Sequence, residues 1–348
     1  MHHPCTTGSP RMLVDGGLFG PLHTIARRVE HLEASGYDGA FSAEISANPF
    51  FPLVLGAEHS ERIELLTGIA VAFARNPMNL ANIAHDLNAY SKGRFILGIG
   101  SQIRPHITKR FSMPWSHPAE RMREYIMAMR AIWECWYEGA PLHFEGKFYN
   151  HTLMTPMFVP DELEYGAPRV MLAAVGPRMA EVAGETADGL LAHAFTTERY
   201  MREVTIPAIG RGLAKSGRDR ASFQLSCPMF VVTGNDEEAM AQSRAINCKQ
   251  IAFYGSTPAY RPVLEMHGWG ALQDELNILS KRGEWDAMGE CISDDILDEF
   301  AIVAEPKDVA RRINERCGDI LDRIVCSMEF ADTDQQREFV QSMRSAGS

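Results

Sequence analysis

Residues 65–102, LLTGIAVAFARNPMNLANIAHDLNAYSKGRFILGIGSQ, read as strand, helix, strand, with a polar or glycine break where each strand ends. Residues 63–73 form an apolar run rich in β-branched side chains, and Asn76-Pro77 punctuates it. Leu80, Ile83, Ala84, Leu87 and Tyr90 then recur at helical spacing until Lys92-Gly93 ends the helix. Residues 94–99 follow as a short buried strand that stops on Gly100. Two strands joined by one helical crossover are most simply parallel. Parallel strands gather functional groups at their carboxyl ends.

The same alternation extends in both directions. Upstream, residues 12–18 form a first strand, 22–34 a helix with Ile25, Val29 and Leu32 on one face, 38–44 a second strand and 51–58 a second helix. Downstream, residues 119–137 form a helix with Met122, Ile126, Met129 and Trp133 on one face, and 142–150 a small hairpin around Glu145-Gly146. Strands at 170–175, 189–194 and 223–233 are each followed by a helix, the first opened by Pro177 and the others covering 197–214 and 236–253. A helix over 306–316, a strand over 322–328 and an amphipathic C-terminal helix complete the chain. Eight strands with no Pro, Gly or Ser-rich linker between them predict one (β/α)8 TIM barrel domain spanning residues 1–348. The barrel proper covers 11–330, with insertions after strand four (102–119) and after strand seven (255–301), and a C-terminal helix over 331–348.

Composition narrows the partners. A net charge of -11 over 348 residues argues against nucleic acid and anionic membranes, which select basic faces, and leaves small molecules. Seven cysteines without a C-x-x-C pair read as reduced thiols of a cytoplasmic protein. The N-terminus has no apolar run suited to a signal peptide, and no stretch approaches the ~20 apolar residues of a membrane span. His2-His3 alone is terminal filler, and the twelve histidines lack H-E-x-x-H spacing, so no metal centre is expected. No G-x-S-x-G elbow marks a hydrolase.

In such a barrel the reactive groups come from strand tips and the loops after them. Those tips carry Glu44, Arg75, Ser101 and Gln102, residues 174–178, and His193. Glu44 ends an apolar strand, either as a cap on a rim backbone group or as a carboxylate in a partly desolvated pocket. Gly176-Pro177-Arg178 joins a strand end to a helix start, which is either an ordinary turn or an anion site built from free N–H groups and a guanidinium. Gly98-Ile99-Gly100 lacks the third glycine and the following helix of a dinucleotide-binding turn. The insertion after strand four carries Arg104, Lys109 and Arg110 with no acid, a local reversal of the overall sign. It is either an anion-attracting rim or a solvated loop paired with acids such as Glu120. His106 in that loop and His193 at a strand end are the candidates for proton transfer. Phe111, Met113 and Trp115 serve either as pocket wall or as loop anchor.

The wording TGIAVAFARNPMNLA followed by SKGRFILGIGS, together with Gly36-Tyr37-Asp38-Gly39, Glu44, RVMLAAVGPR at 169–178 and Ala187-Asp188-Gly189, resembles the bacterial luciferase-like flavin superfamily, in its branch of coenzyme F420-dependent oxidoreductases. The resemblance implies hydride transfer between a deazaflavin and a small organic substrate, with FMN as the alternative cofactor and a homodimer as the assembly. It places an acid, Glu44, beside the ring. It puts a non-proline cis peptide at Gly68-Ile69 or one bond earlier, behind the ring. It also sets Ala174, Val175, Gly176, Pro177, Arg178 and Met179 against the phosphate and part of the ring system, with Ser101, Gln102 and Arg104 at the rim. F420 bears an acidic lactyl-oligoglutamyl tail, which a cationic loop would attract. Two departures stand out: Ile45 follows the acid where many relatives have histidine, and Ile103 stands near the place of a second acid. The proton chemistry of the sugar-phosphate dehydrogenases in this branch therefore does not carry over. Two further readings fit the same scaffold: an FMN-dependent monooxygenase and a non-catalytic flavin-binding barrel.

Overall fold

Eight parallel strands close on themselves in the computed structural model, which describes residues 11–326 and 333–345. They are β1 (Leu13–Gly17), β2 (Gly39–Ser42), β3 (Glu64–Thr67), β4 (Phe95–Gly100), β5 (Arg169–Ala174), β6 (Gly189–Ala192), β7 (Gln224–Val232) and β8 (Arg323–Cys326). β8 pairs with both β7 and β1, and β6 pairs back onto β7, so the cylinder is complete. The fold is a (β/α)8 barrel, with helices between the strands as the alternation implies. The N-terminal His2-His3, Cys5, the end of the last strand expected at 327–328 and the chain end at 346–348 lie outside the described residues.

Helices α1 (Leu22–Ala34), α2 (Phe51–Glu58) and α3 (Pro77–Tyr90) have the bounds their stop signals imply. At α3 the Asn76 side chain accepts from Asn79 N at 2.9 Å, and Pro77 occupies a first-turn position where its missing N–H costs nothing. Further on lie α4 (Pro118–Glu138), α5 (Pro177–Thr186), α6 (Ile206–Ser216), α7 (Glu237–Gly255), α8 (Val309–Cys317) and α9 (Thr333–Ser345). The single helix expected over 197–214 is instead a short turn, Glu198–Tyr200, a π-helical turn, Met201–Thr205, and then α6. The insertion after β4 contains a π-helical turn, His106–Arg110. The insertion after β7 contains four helices, Arg261–Met266, Gly270–Arg282, Trp285–Glu290 and Asp294–Phe300, and ends in a short strand, Ala301–Val303, that pairs with the outer end of β7.

The long apolar strand expected over 63–73 breaks after four residues. Gly68-Ile69 is a cis peptide, Ala70 and Val71 then rejoin β4 opposite Ile99 and Gly100, and residues Ala72–Ala74 turn into a 3-10 helix. Gly68 N donates to Ser42 O at 2.8 Å, and the Thr67 hydroxyl donates to Gly98 O at 2.7 Å. A Cβ at position 98 would fall 1.8 Å from the Thr67 carbonyl oxygen, so the bulge requires glycine there. The Gly98-Ile99-Gly100 sequence is a packing device for this bulge.

Alternate residues of each strand point into the barrel. Leu66, Ile96 and Met171 form an apolar layer with Phe41 and Leu191. Beneath it lies a charged layer centred on Arg323, which is fully buried. Its Nε reaches the Asp15 carboxylate at 2.8–3.0 Å, Nη1 donates to Gln224 Oε1 at 3.0 Å, and Nη2 pairs with Glu64, which also pairs with Arg169. Burial pushes the Asp15 carboxyl up to about 6 against the pull of Arg323. Glu64 is pulled the other way, since its two arginines outweigh its burial and hold it low.

Breaking one member of a buried ionic set costs about 3–5 kcal/mol because the partners stay buried without compensation. Arg323→Met is therefore expected to lower unfolding free energy in urea titrations by that order. Asp15→Asn in the same chain should recover part of the loss; additive losses in the double variant would contradict the coupling.

Candidate active site

A cavity of about 730 Å³ opens at the carboxyl ends of the strands, large enough for a tricyclic ring and a small molecule together. Its floor includes Asp15, Ser226 and Val325, directly above the charged layer. Leu66, Thr67, Gly68 and Ile69 form the wall at β3. Gly100 and Ser101 continue it at β4, and Ala173 to Gly176 at β5. Small side chains on β4 and β5 facing the bulge make this half of the cavity a slot. A Cβ on Gly100 would lie 2.9 Å from Ile69 Cδ1, so a side chain there would collide with the bulge.

At the end of β5 the chain turns at Gly176 into α5, whose first hydrogen bond runs from Ala180 N to Gly176 O at 3.1 Å. The N–H groups of Arg178 and Met179 precede that bond and belong to the positive end of the helix. Gly176 and Met179 border the cavity, and a Cβ built on Gly176 would meet nothing within 4 Å. Pro177 and Arg178 do not border it. Arg178 is 58 % exposed and reaches Glu120 and Glu181, each at 3.4 Å, so its guanidinium belongs to the outer surface. On the cavity side this turn therefore offers backbone N–H groups and no guanidinium.

Glu44 also stands apart from the cavity lining. It lies two residues beyond β2, and its side chain is 8 % exposed. Its Oε2 accepts from Val71 N at 2.8 Å and Arg75 Nη1 at 2.7 Å, and its Oε1 accepts from Arg75 Nη2 at 3.0 Å. Its own N–H donates to Ile69 O at 3.1 Å. With both oxygens engaged, Glu44 holds the bulge from outside the cavity lining, so of the two readings of this strand end the cap on a backbone group is the arrangement seen.

The rim after β4 begins with Ser101 and Gln102, both on the cavity. Gln102 takes φ of +60°, in the left-handed region, and its side-chain oxygen accepts from Ile103 N at 2.9 Å, which stabilises the turn locally. Arg104 borders the cavity mouth, and neither it nor exposed Lys109 has an ion-pair partner among the described residues. Arg110 instead donates to Ile45 O and lies over the Phe111 ring. Glu120 pairs with Arg178 rather than with the loop. Buried Ile107 and half-buried Phe111 and Met113 anchor the loop on the core, whereas Trp115 borders the cavity and packs edge-on against Phe73. His106 is exposed on the π-helical turn and does not border the cavity, which removes it from reach of a bound molecule in this arrangement.

His193 does border it, one residue beyond β6. Tyr260 stacks on the imidazole at 4.7 Å and Tyr254 meets it edge-on at 4.6 Å. Burial lowers its pKa to about 4, so the ring is neutral at physiological pH. Nδ1 accepts from Phe195 N at 3.0 Å, which leaves Nε2 carrying the proton as a donor.

The wall beyond His193 comes from a helix that sequence reading left outside the site. Ser243, Ile246, Asn247, Gln250 and Tyr254 all border the cavity from α7, at the three- and four-residue spacing of one helical face. Three of the five are polar, so hydrophobic periodicity hides the face that turns inward. Among the described residues no cluster of His, Cys, Asp or Glu is arranged to hold a metal ion, and no helix is long and apolar enough to cross a membrane.

The comparisons with known proteins agree with this fold. An uncharacterized protein of Mycobacterium tuberculosis is 54% identical over 318 residues, covering 91% of this chain and 94% of its own length. The 5,10-methylenetetrahydromethanopterin reductase of Archaeoglobus fulgidus is 28% identical over 295 residues, covering 82% and 84%. Among solved structures, the coenzyme F420-dependent tetrahydromethanopterin reductase of Methanopyrus kandleri superposes with a TM-score of 0.78 at 20% identity, covering 98% and 100% of the two chains. EDTA monooxygenase of Chelativorans sp. BNC1 gives 0.72 at 16% identity, covering 97% and 94%. Relatives and structural neighbours thus include both F420-dependent oxidoreductases and monooxygenases. The sequence profile of the luciferase-like monooxygenase family matches residues 1–322, and the chain belongs to that family.

Proposed function

We propose that the protein is a coenzyme F420-dependent oxidoreductase that moves a hydride between the deazaflavin and a small organic carbonyl compound or alcohol. The observation that carries this reading is the succession along one side of the cavity. A slot of small residues lies against the bulge, the N-terminus of α5 stands at its side, and Arg104, without an ion-pair partner among the described residues, stands at the mouth. Ring, phosphate and acidic tail would meet these in turn. When bound, the cofactor supplies the hydride chemistry. The chain's own contribution is positional and electrostatic. Glu44 and Arg75 hold the bulge, Ser101, Gln102, Val175, Gly176 and Met179 frame the slot, and the loop around Trp115 excludes water. His193 presents a neutral Nε2–H that polarises a substrate oxygen without itself changing charge.

An FMN-dependent monooxygenase is the second reading, favoured by the family match itself. Titration with reduced F420 and with FMN separates the two: F420 binding followed by absorbance is the expected result, and tight FMN binding without F420 binding, with oxygen uptake on FMNH2, overturns it. Strong cofactor binding with no turnover across enones, alcohols and imines would leave a non-catalytic barrel.

Further outcomes follow from named side chains. Changing Arg104 and Lys109 together to alanine should weaken F420 about tenfold at low salt, with the difference shrinking in high salt and FMN affinity unmoved. His193→Phe keeps the aromatic stack and removes the donor, so kcat/KM should fall about 100-fold. Because the lowered pKa keeps this imidazole neutral until the pH nears 4, imidazole NMR should record no titration of His193 between pH 5 and 8. Its contribution to stability is present above about 6.5, where the unfolded ring is also neutral, and declines as pH falls toward 4.

A further inference from the structure

The cavity is chemically divided. The side facing β3 to β5 is the slot with Arg104 at its mouth; the side facing β6, β7 and α7 is a lobe walled by His193, Phe230, Asn247, Gln250, Tyr254 and Tyr260. Asp15 and Arg104 are the two side chains of permanent-charge type (Asp, Glu, Lys or Arg) that border the whole cavity. The Asp15 carboxylate is spent on Arg323, and Arg104 lies after β4, across the mouth from the lobe. None of the lobe's own six side chains offers a countercharge to a phosphate or carboxylate. A buried anion without a partner is strongly disfavoured.

The lobe is nevertheless furnished for hydrogen bonding. Asn247 Nδ2 donates to Val231 O at 3.0 Å and to Ser243 O at 2.9 Å. Both partners are carbonyls, so the amide has one permitted orientation, with Oδ1 left as a fixed acceptor. Gln250 Nε2 donates to the Tyr254 hydroxyl at 3.3 Å, which leaves the phenolic hydrogen for another acceptor. Around these polar points the surface is aromatic, with Phe230 and Tyr254 centroids 6.3 Å apart and Tyr254 and Tyr260 6.4 Å apart.

We infer that this lobe is the substrate subsite, that it takes an uncharged, largely apolar compound whose far end presents a hydroxyl to Asn247, and that it rejects the same skeleton bearing a carboxylate or phosphate. The assignment of the reacting end to His193 rests on the proposed oxidoreductase function; the charge selection does not, because it is set by the walls alone. Specificity of this kind works by leaving the wrong group unpaired.

Matched probes test it: 2-octanone against 7-oxooctanoate, and 4-(4-hydroxyphenyl)butan-2-one against its 4-carboxyphenyl analogue, each titrated calorimetrically into the full-length protein with and without F420. The neutral member of each pair is expected to bind at least tenfold more tightly. Gln250→Lys, an exposed position at the lobe's edge, supplies the missing countercharge and is expected to narrow or reverse the preference by gaining at least tenfold for the carboxylates. Equal or tighter binding of the carboxylates to the unaltered protein, an unchanged preference in Gln250→Lys, or binding of neither ketone would overturn the inference. A protein that binds F420 but lacks the preference loses the subsite and keeps the oxidoreductase reading. One that selects the neutral ketones without ever binding F420 does the reverse.

Discussion

Arg323 is the side chain on which the architecture converges. Three groups supplied by β1, β3 and β7 meet its guanidinium inside the cylinder, so one planar cation ties four of the eight strands across the barrel axis. An apolar residue of similar volume would fill the space but would leave Asp15 buried without its cation and Glu64 with Arg169 alone. The charged layer also closes the barrel from below. The cavity begins where that layer ends, with Asp15 common to both.

Above the floor, the site is shaped by backbone more than by reactive side chains. The bulge after β3 is held from three directions: by Ser42 through Gly68 N–H, by Thr67 through the Gly98 carbonyl, and by Glu44 with Arg75 from outside. This arrangement turns a strand end into a flat wall without placing any charge against the slot. Charge is kept at the edges instead, in Arg104 at the mouth and in the free N–H groups opening α5. The cofactor proposed above would be matched by such a distribution, its ring against apolar surface and its anionic parts toward the rim.

Much of this was legible from residues alone, and the failures have identifiable causes. Helices α1 and α3 carry sharp stop signals, Ser35-Gly36 and Lys92-Gly93, and their limits could be read directly. The strand over 63–73 looked continuous because hydrophobicity does not register a peptide reversal within an apolar run. Glu44 and Arg178 were identified as rim residues from chain position, but position does not say where a side chain points. Arg75 captures the first and Glu120 with Glu181 the second. The polar inward face of α7 escaped for the opposite reason, because Ser243, Asn247 and Gln250 resemble solvent-facing residues until the barrel brings them over the cavity. His193 was read as a strand-end imidazole and lies one residue beyond β6 on the cavity, whereas its tautomer depends on the Phe195 N–H that only the folded chain supplies.

β7 is longer than its neighbours, and its two halves have different companions. Residues 224–229 are hydrogen-bonded to β6 or β8, whereas residues 230–232 pair with Ala301–Val303, the end of the second insertion. The insertion and the outer β7 segment share a separate apolar cluster that includes Phe230, Leu276, Leu297 and Phe300. The helical cap is thereby joined to the cylinder by three residue pairs of β7 and by packing on α7. A chain built this way has room to vary that cap, and with it the part of the cavity wall that Ala259 and Tyr260 supply, while the slot on the opposite side of the barrel keeps its form.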